Sequence, residues 1–211
     1  GEICQFKAIL VIGETVLTFT ELCHSCGGCM AVCPEKAITE GGRELGIIEK
    51  GHRNGLEFIH GRLRVGEAMS PPLIKRLRAL AHPDQITIID APPGTSCPVI
   101  AAMKGADFVL LVTEPTPFGL YDLRLTVGAV RLLGIPCGLV INRCDMGDDK
   151  VKEYATRKDL PILMEIPFDR RIAEAYSRGE PLVKVIPEWK KNFEPFFAVL
   201  GNMWGEGDSF L

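Results

Sequence analysis

The residues best suited to chemistry are four closely spaced cysteines, Cys23, Cys26, Cys29 and Cys33. Their spacing, C-x2-C-x2-C-x3-C-P, is typical of the bacterial pattern that ligates a [4Fe–4S] cluster. The two glycines between Cys26 and Cys29 would let the backbone curl close to such a cluster. Zinc sites usually take their ligands from two well-separated pairs, so the crowded spacing favours an iron–sulfur cluster over zinc or a redox-active thiol pair.

An upstream segment repeats part of this motif. The segment from Cys4 to Ile9 matches the segment from Cys33 to Ile38 at Cys, Lys, Ala and Ile, with an offset of 29 residues (position 4 to position 33). Such a repeat is typical of a duplicated unit. Each copy predicts a turn followed by a short apolar strand, and residues 8–12 and 15–19 are predicted to pair as a hairpin around Gly13-Glu14.

The composition is that of an ordinary globular protein. Of 211 residues, 46% are hydrophobic and 24% are charged, and the net charge is −3. This balance offers no basic surface for nucleic acid, and no apolar run is long enough to span a membrane. Five of the eight cysteines lie near the N-terminus in metal-type spacing, which favours a reducing cytoplasm over a disulfide framework. We therefore expect a cytoplasmic protein without a nucleic-acid partner.

Helices and strands in the rest of the chain must position any further functional side chains. Residues 43–66 are predicted to be mainly loop, and from Pro71 helix and strand patterns alternate. Strands are predicted at 85–90, 107–113, 136–142 and 162–166, and helices at 71–80, 96–104, 120–133, 148–158 and 170–178. This alternation predicts a parallel sheet with helices on both faces. The final apolar pattern, from Trp189 to Trp204, predicts a helix that packs on the core or forms a dimer contact, because only two lysines make it basic.

Polar and turn-forming residues follow the predicted strands, where parallel sheets bind their ligands. Asp90 ends the first strand and could accept water bound to Mg²⁺, and Gly94 would let the backbone approach a phosphate. Asn142 to Asp145 form an N-[RK]-x-D pattern, whose amide and carboxylate can hydrogen-bond the edge of adenine or guanine. The loop from Ile166 to Asp169 could form a wall beside a base. The sequence therefore predicts a nucleotide site.

These motifs, with Glu114 to Pro117 after the second strand, resemble the MinD/ParA superfamily of P-loop ATPases. More narrowly, the chain resembles the members that carry an inserted bacterial-type ferredoxin domain with two [4Fe–4S] clusters. The resemblance implies an α/β fold in which residues 46–211 form a parallel-sheet P-loop NTPase-like domain that lacks its P-loop unit. Residues 1–45 would form a small, partial α+β ferredoxin-like domain. No G-x-x-x-x-G-K-[ST] motif occurs in the chain, and the family's phosphate-binding loop would lie upstream of Gly1.

The resemblance also implies the ligands of the clusters. Cys23, Cys26 and Cys29 would hold one cube, completed by Cys4, and Cys33 would belong to a second cube. An intact family member would carry two clusters, of which one can be completed by the cysteines present here. The alternative for Cys4 is a small buried hydrophobic residue.

For the nucleotide, the resemblance implies ATP with Mg²⁺. Asp90 would be the Walker-B-type aspartate, Gly94 the switch glycine, and Asn142 the contact to adenine. Five further residues would shape the base pocket: Arg143, Asp145, Pro167, Phe168 and Asp169. The implied function is an ATP-binding iron–sulfur protein, an ATPase in its intact form. Its nucleotide state would be coupled to electron transfer or to cluster handling, in a homodimer that meets a redox partner or an Fe–S acceptor protein.

Two other functions stay open at this point. One is a plain ferredoxin-type electron carrier whose nucleotide site is vestigial. The other is a ParA-like positioning or scaffold ATPase whose clusters are structural.

Overall fold

The computed structural model describes residues 2–203 and divides the chain into two compact units, Gly1–Ile89 and Asp90–Leu211. The strands are β1 (Ile9–Ile12), β2 (Thr15–Thr18), β3 (Gly46–Arg53), β4 (Leu56–Leu63), β5 (Val109–Thr113), β6 (Cys137–Asn142) and β7 (Ile162–Ile166). The helices are α1 (Gly28–Ala31), α2 (Pro71–Arg78), α3 (Cys97–Met103), α4 (Pro117–Leu133), α5 (Lys150–Arg157), α6 (Arg170–Ser177), α7 (Leu182–Val185) and α8 (Trp189–Met203). The domain boundary predicted between residues 45 and 46 stays a prediction.

The first unit begins with the predicted hairpin. β1 and β2 pair in antiparallel register from Ile9 opposite Thr18 to Ile12 opposite Thr15, which confirms the prediction from the first copy of the repeat. The second copy differs, because residues 37–40 have no regular secondary structure. The prediction of a strand in the second copy is therefore wrong. Its backbone has no partner strand among the described residues, and a strand without a partner leaves its backbone groups unpaired.

A second hairpin, β3–β4, occupies the stretch that the sequence predicted to be loop, so that prediction is wrong. The strands pair from Gly46 opposite Leu63 to Arg53 opposite Leu56. The turn between them is Asn54-Gly55, with φ of +52° and +80°. These left-handed conformations suit the Asn-Gly pair of a type I′ turn, whose twist matches that of the strands. Helix α2, which the sequence predicted, packs leucine side chains against one face of this hairpin.

The second unit is built on the parallel sheet β5–β6–β7, which the sequence predicted. The middle strand, β6, is buried on both faces, as parallel strands usually are. Leu139 and Ile141 are fully buried in a cluster with residues of α3, α4 and α5. Val140 points to the opposite face, where it packs with Phe196 and Leu200 of α8. Helices therefore cover both faces of the sheet, which confirms the prediction that the C-terminal helix packs on the core. Trp204, the last residue of the predicted helix, lies outside the described residues.

The strand predicted at residues 85–90 is wrong, because this segment has no regular secondary structure. Its apolar side chains are not buried either: Ile86 is 52% exposed and Ile88 is 81% exposed. A parallel strand needs hydrogen-bonded neighbours, and no strand within residues 2–203 pairs with this segment. None of the helices in the described part of the chain combines the length and hydrophobicity that crossing a bilayer demands.

Candidate functional site: a cysteine loop and a strand-end cluster

Both copies of the sequence repeat form the same turn after their cysteine. The N–H of Lys7 donates to the carbonyl oxygen of Cys4 at 3.1 Å, and the N–H of Lys36 donates to that of Cys33 at 3.2 Å. The two lysines share an unusual conformation, with φ of +54° and +49°. The repeat seen in the sequence therefore has a counterpart in local geometry.

The loop that carries Cys23, Cys26 and Cys29 is tightly curled. Gly27 has φ of +73° and precedes the short helix α1, on which Cys29 lies. A residue with a Cβ would be strained in this conformation, which explains the glycine. The N–H of Ser25 donates to the Sγ of Cys23 at 3.4 Å. Backbone donors aimed at sulfur stabilise the thiolate form and are a usual means of tuning an iron–sulfur cluster.

Cys4 has the environment of a ligand thiolate. Partial burial alone would raise the pKa of its thiol, but the N–H groups of Ala8, Ile9, Phe6 and Lys7 outweigh that effect and lower the pKa below its ordinary value. The Ala8 N–H donates to Sγ at 3.3 Å. A purely hydrophobic cysteine would lack such donors, so the chemistry of Cys4 fits a cluster ligand.

Side chains hold the segment of Cys4 against the cysteine loop. The rings of Phe6 and His24 stack with their centroids 3.5 Å apart and their planes 7° apart. A Cβ added at Gly28 would lie 3.8 Å from Cγ1 of Ile3 and 3.7 Å from Sγ of Cys26. Among the described residues, no three His, Cys, Asp or Glu side chains converge as ligands of a single metal ion. The full ligand set of the cluster stays a prediction.

Cys137 and Cys144 have a different environment. Burial raises the pKa of the Cys137 thiol, and burial together with Glu165 raises that of Cys144. Both thiols are therefore kept neutral, as expected of cysteines that pack beside a core rather than bind metal.

A polar cluster lies at the carboxyl ends of β5 and β6. Nδ2 of Asn142 donates to Oε1 of Glu114 at 3.3 Å. Nε of Arg143 lies 3.5 Å from the same oxygen, and its guanidinium carbon lies 6.0 Å from the centroid of the Phe168 ring. Two predicted base-site residues, Asn142 and Arg143, are thus joined through Glu114, which was not among the predicted site residues, and Arg143 contacts a third, Phe168.

The position of Glu114 follows from the register of the sheet. Thr113 is paired with Ile141, so the next residues, Glu114 and Asn142, leave the sheet side by side. The signal for Glu114 in the sequence is the Glu-Pro-Thr-Pro turn that follows the strand, and this turn by itself indicates no chemical role.

The loop after β7 closes on the same cluster. The N–H of Phe168 donates to Oδ1 of Asp145 at 2.7 Å, and the N–H of Cys144 donates to the carbonyl oxygen of Ile166 at 3.0 Å. Asp169 caps α6 by accepting from the N–H of Arg171 at 2.9 Å. Pro167 lies exposed between them. The predicted residues of the β6 and β7 loops are therefore brought together.

Close backbone packing fixes the two loops that carry Glu114 and Asn142. A Cβ at Gly147 would lie 1.8 Å from the carbonyl oxygen of Pro115, so the loops touch at this point and only glycine fits. Thr116 caps α4, since its Oγ1 accepts from the N–H of Gly119 at 3.0 Å. These contacts fix the positions of the loops at the strand ends.

Asp90 and Gly94 are placed differently. Asp90 is exposed in the irregular segment, and Gly94 has φ of +88°. Within residues 2–203, no hydrogen bond or ion pair joins either of them to the cluster around Asn142. Their assignment as Walker-B-type aspartate and switch glycine stays a prediction.

The cysteine loop matches a family model described as "4Fe-4S binding domain" over residues 17–39. Over 187 residues the chain is 33% identical to an uncharacterized protein of Methanocaldococcus jannaschii, which covers 87% of this chain and 65% of that protein. It is 30% identical over 116 residues to the iron-sulfur cluster carrier protein of Aquifex aeolicus, covering 48% of this chain and 32% of the relative. An uncharacterized ATP-binding protein of M. jannaschii is 27% identical over 115 residues, covering 53% and 44%.

The matched family model concerns 4Fe-4S binding, and the relatives with descriptive names are an iron-sulfur cluster carrier and an ATP-binding protein. Among solved structures, the cell division ATPase MinD of Pyrococcus furiosus matches with a TM-score of 0.48 and 27% identity, over 56% of this chain and 52% of that one. The chain spans 65% and 66% of the lengths of the two M. jannaschii relatives that it matches over most of its own length. The predicted fold class, mixed α/β with an N-terminal 4Fe-4S region, is confirmed.

Proposed function

We propose that the protein binds a [4Fe–4S] cluster and ATP, and that the state of the nucleotide controls electron transfer by the cluster or its delivery to an acceptor. The cluster would be held by Cys23, Cys26 and Cys29 with Cys4, and Cys33 would serve a second cube. ATP with Mg²⁺ would lie at the carboxyl ends of β5–β7, with Asp90 and Gly94 toward the phosphates.

The observation that carries the proposal is the strand-end cluster, in a chain that also holds a 4Fe-4S motif. Asn142 offers a purine an amide, Phe168 an aromatic wall, and Asp145 fastens the wall to the loop after β6. Phe168 is 46% exposed, so its ring is accessible to a planar ligand. The relatives named as an iron-sulfur cluster carrier and as an ATP-binding protein support the same pairing.

Each of the two cluster functions implies a partner protein. A cluster that exchanges single electrons needs a redox protein, and a cluster that is delivered needs an apo-protein with free thiolates. We further propose that the protein acts as a homodimer whose assembly depends on the nucleotide.

The test is equilibrium binding of Mg–ATP to the anaerobically prepared full-length gene product, with its iron and sulfide measured in the same sample. The expected result is iron and acid-labile sulfide together with saturable ATP binding. Asn142→Ala should weaken ATP binding about fivefold to tenfold, the value of one hydrogen bond of about 1–1.5 kcal/mol. Glu153→Ala, on the exposed face of α5, is the matched control and should bind ATP as the wild type does.

The outcomes separate the rival functions. Iron without ATP binding would favour an electron carrier with a vestigial nucleotide site. ATP binding that persists with unchanged localisation after the cluster is removed would favour a positioning ATPase. Equal ATP affinity of wild type and Asn142→Ala would remove that residue from the site.

A further inference from the structure

We propose that Glu114 is a positioning residue that makes the base site select adenine over guanine. The inference rests on the proposed nucleotide site and goes beyond it, because it names the residue that decides which base is accepted. The N-R-x-D pattern alone leaves that choice open.

The amide of Asn142 can face a ligand in either of two orientations. A carboxamide carries an acceptor, Oδ1, and a donor group, Nδ2, and either can face a ligand, depending on how the amide is turned. Glu114 directs an oxygen at Nδ2, with Oε1 at 3.3 Å. An ionised carboxylate can only accept hydrogen bonds, so it favours the orientation that turns Nδ2 toward it and leaves Oδ1 free to meet a ligand.

The exposed oxygen distinguishes the two purines. Adenine carries an amino group at position 6, which can donate to Oδ1, whereas guanine carries a carbonyl oxygen there. With the amide held by Glu114, guanine would place two acceptors against each other. Adenine would complete the hydrogen bond.

The carboxylate of Glu114 is itself held in place. Nε of Arg143 lies 3.5 Å from the same Oε1, and the guanidinium lies over the ring of Phe168. The side chains of Arg143 and Glu114 are 51% and 37% exposed, so this ion pair adds little stability. Its effect is geometric, because it keeps Oε1 directed at the amide of Asn142.

Asp145 makes a contact of its own with the β7 loop. To read guanine, a carboxylate would have to accept from the N–H groups at positions 1 and 2 of the base. Oδ1 of Asp145 instead accepts from the N–H of Phe168 at 2.7 Å and ties the β7 loop to the β6 loop. One oxygen of the carboxylate of the N-R-x-D pattern therefore fastens the pocket wall.

The experiment measures the affinities of Mg–ATP and Mg–GTP for the full-length gene product and takes their ratio. Wild type should prefer ATP by at least about tenfold, the effect of about 1.4 kcal/mol. Glu114→Ala frees the amide of Asn142 to turn, so GTP binding should strengthen and the ratio should fall toward one. Glu114→Gln keeps a side-chain oxygen that can accept from Nδ2 and should retain most of the preference, and Glu153→Ala should retain all of it.

Each outcome decides the proposal. If wild type binds ATP and Glu114→Ala leaves the ratio of ATP to GTP affinity unchanged, Glu114 does not have the proposed role. The proposed function is then unaffected. Equal weakening of both nucleotides, with a lowered melting temperature, shows a merely structural role and also overturns it. If wild type binds neither nucleotide, both the inference and the proposed ATP site fail.

Discussion

Gly147 allows a direct test of how the two loops of the base site are held together. A Cβ at this position would lie 1.8 Å from the carbonyl oxygen of Pro115 and 2.9 Å from its Cβ, so Gly147→Ala must push the loops apart. Overpacking of this kind costs about 1–3 kcal/mol. Because the loops carry Glu114 and Asn142, their separation should also lengthen the 3.3 Å hydrogen bond between these residues and weaken nucleotide binding.

The assay is urea unfolding followed by tryptophan fluorescence. Trp189 is buried in the unit Asp90–Leu211, so its signal reports on the unit that contains Gly147. Gly128→Ala is the matched control, since no atom lies within 4 Å of the added Cβ in the middle of α4. It should stabilise the unit by about 0.5–1 kcal/mol, because alanine is the better helix former. A Gly147→Ala protein as stable as wild type would show that the two loops are not held in contact at Gly147, as would equal losses of stability in both variants.

Two further predictions concern the first unit. Iron content should fall in each of the variants Cys23→Ala, Cys26→Ala and Cys29→Ala. The Cys97→Ala control should keep the wild-type iron content. Unchanged iron in all three variants would contradict the ligand assignment. The N–H of Met69, followed by the guanidinium of Arg43, holds the pKa of the Glu67 carboxyl below its usual range. The ionised carboxyl therefore stabilises the fold at neutral pH, and this contribution is lost as the pH falls below about 4.3 and through the lower folded-state pKa. Glu67→Gln should speed hydrogen exchange in β3 and β4 at neutral pH, by a margin over wild type that shrinks in acid; a margin independent of pH would count against this role.

The parallel sheet could be predicted because its signals are local. Short apolar runs flanked by turn residues mark β5, β6 and β7, and Gly134 and Gly179 end the helices α4 and α6 where expected. The segment at residues 85–90 has the same apolar pattern but forms no strand in this chain. An apolar run shows that a segment is suited to a buried strand, whereas forming one requires a neighbour that the pattern does not contain.

The β3–β4 hairpin was missed although its turn signal is present. Asn54-Gly55 is the strongest short-range indication of a hairpin, but the charged and glycine-rich strands beside it hide the alternation expected of a half-buried strand. The hairpin forms because α2 covers one of its faces. This cover is a tertiary contact, which the local sequence pattern does not report.

In the candidate site, too, some residues could be predicted from local sequence and others could not. Asn142, Asp145 and Phe168 could be selected from a motif and from their positions after strands. Glu114 could not be given its role in this way, because its contact with Asn142 arises from the register between β5 and β6, 28 residues apart in sequence. A register is set by the packing of whole strands, and a local motif does not report it.

The proposed coupling between the nucleotide and the cluster can be measured through the rate of iron loss. The anaerobically prepared full-length gene product would be exposed to a ferrous chelator with and without Mg–ATP, alongside the Asn142→Ala variant. If the nucleotide controls the cluster, Mg–ATP should change the rate in wild type by several-fold, and it should change the rate far less in Asn142→Ala at the same ATP concentration. A wild-type rate that is the same with and without saturating Mg–ATP would contradict the coupling.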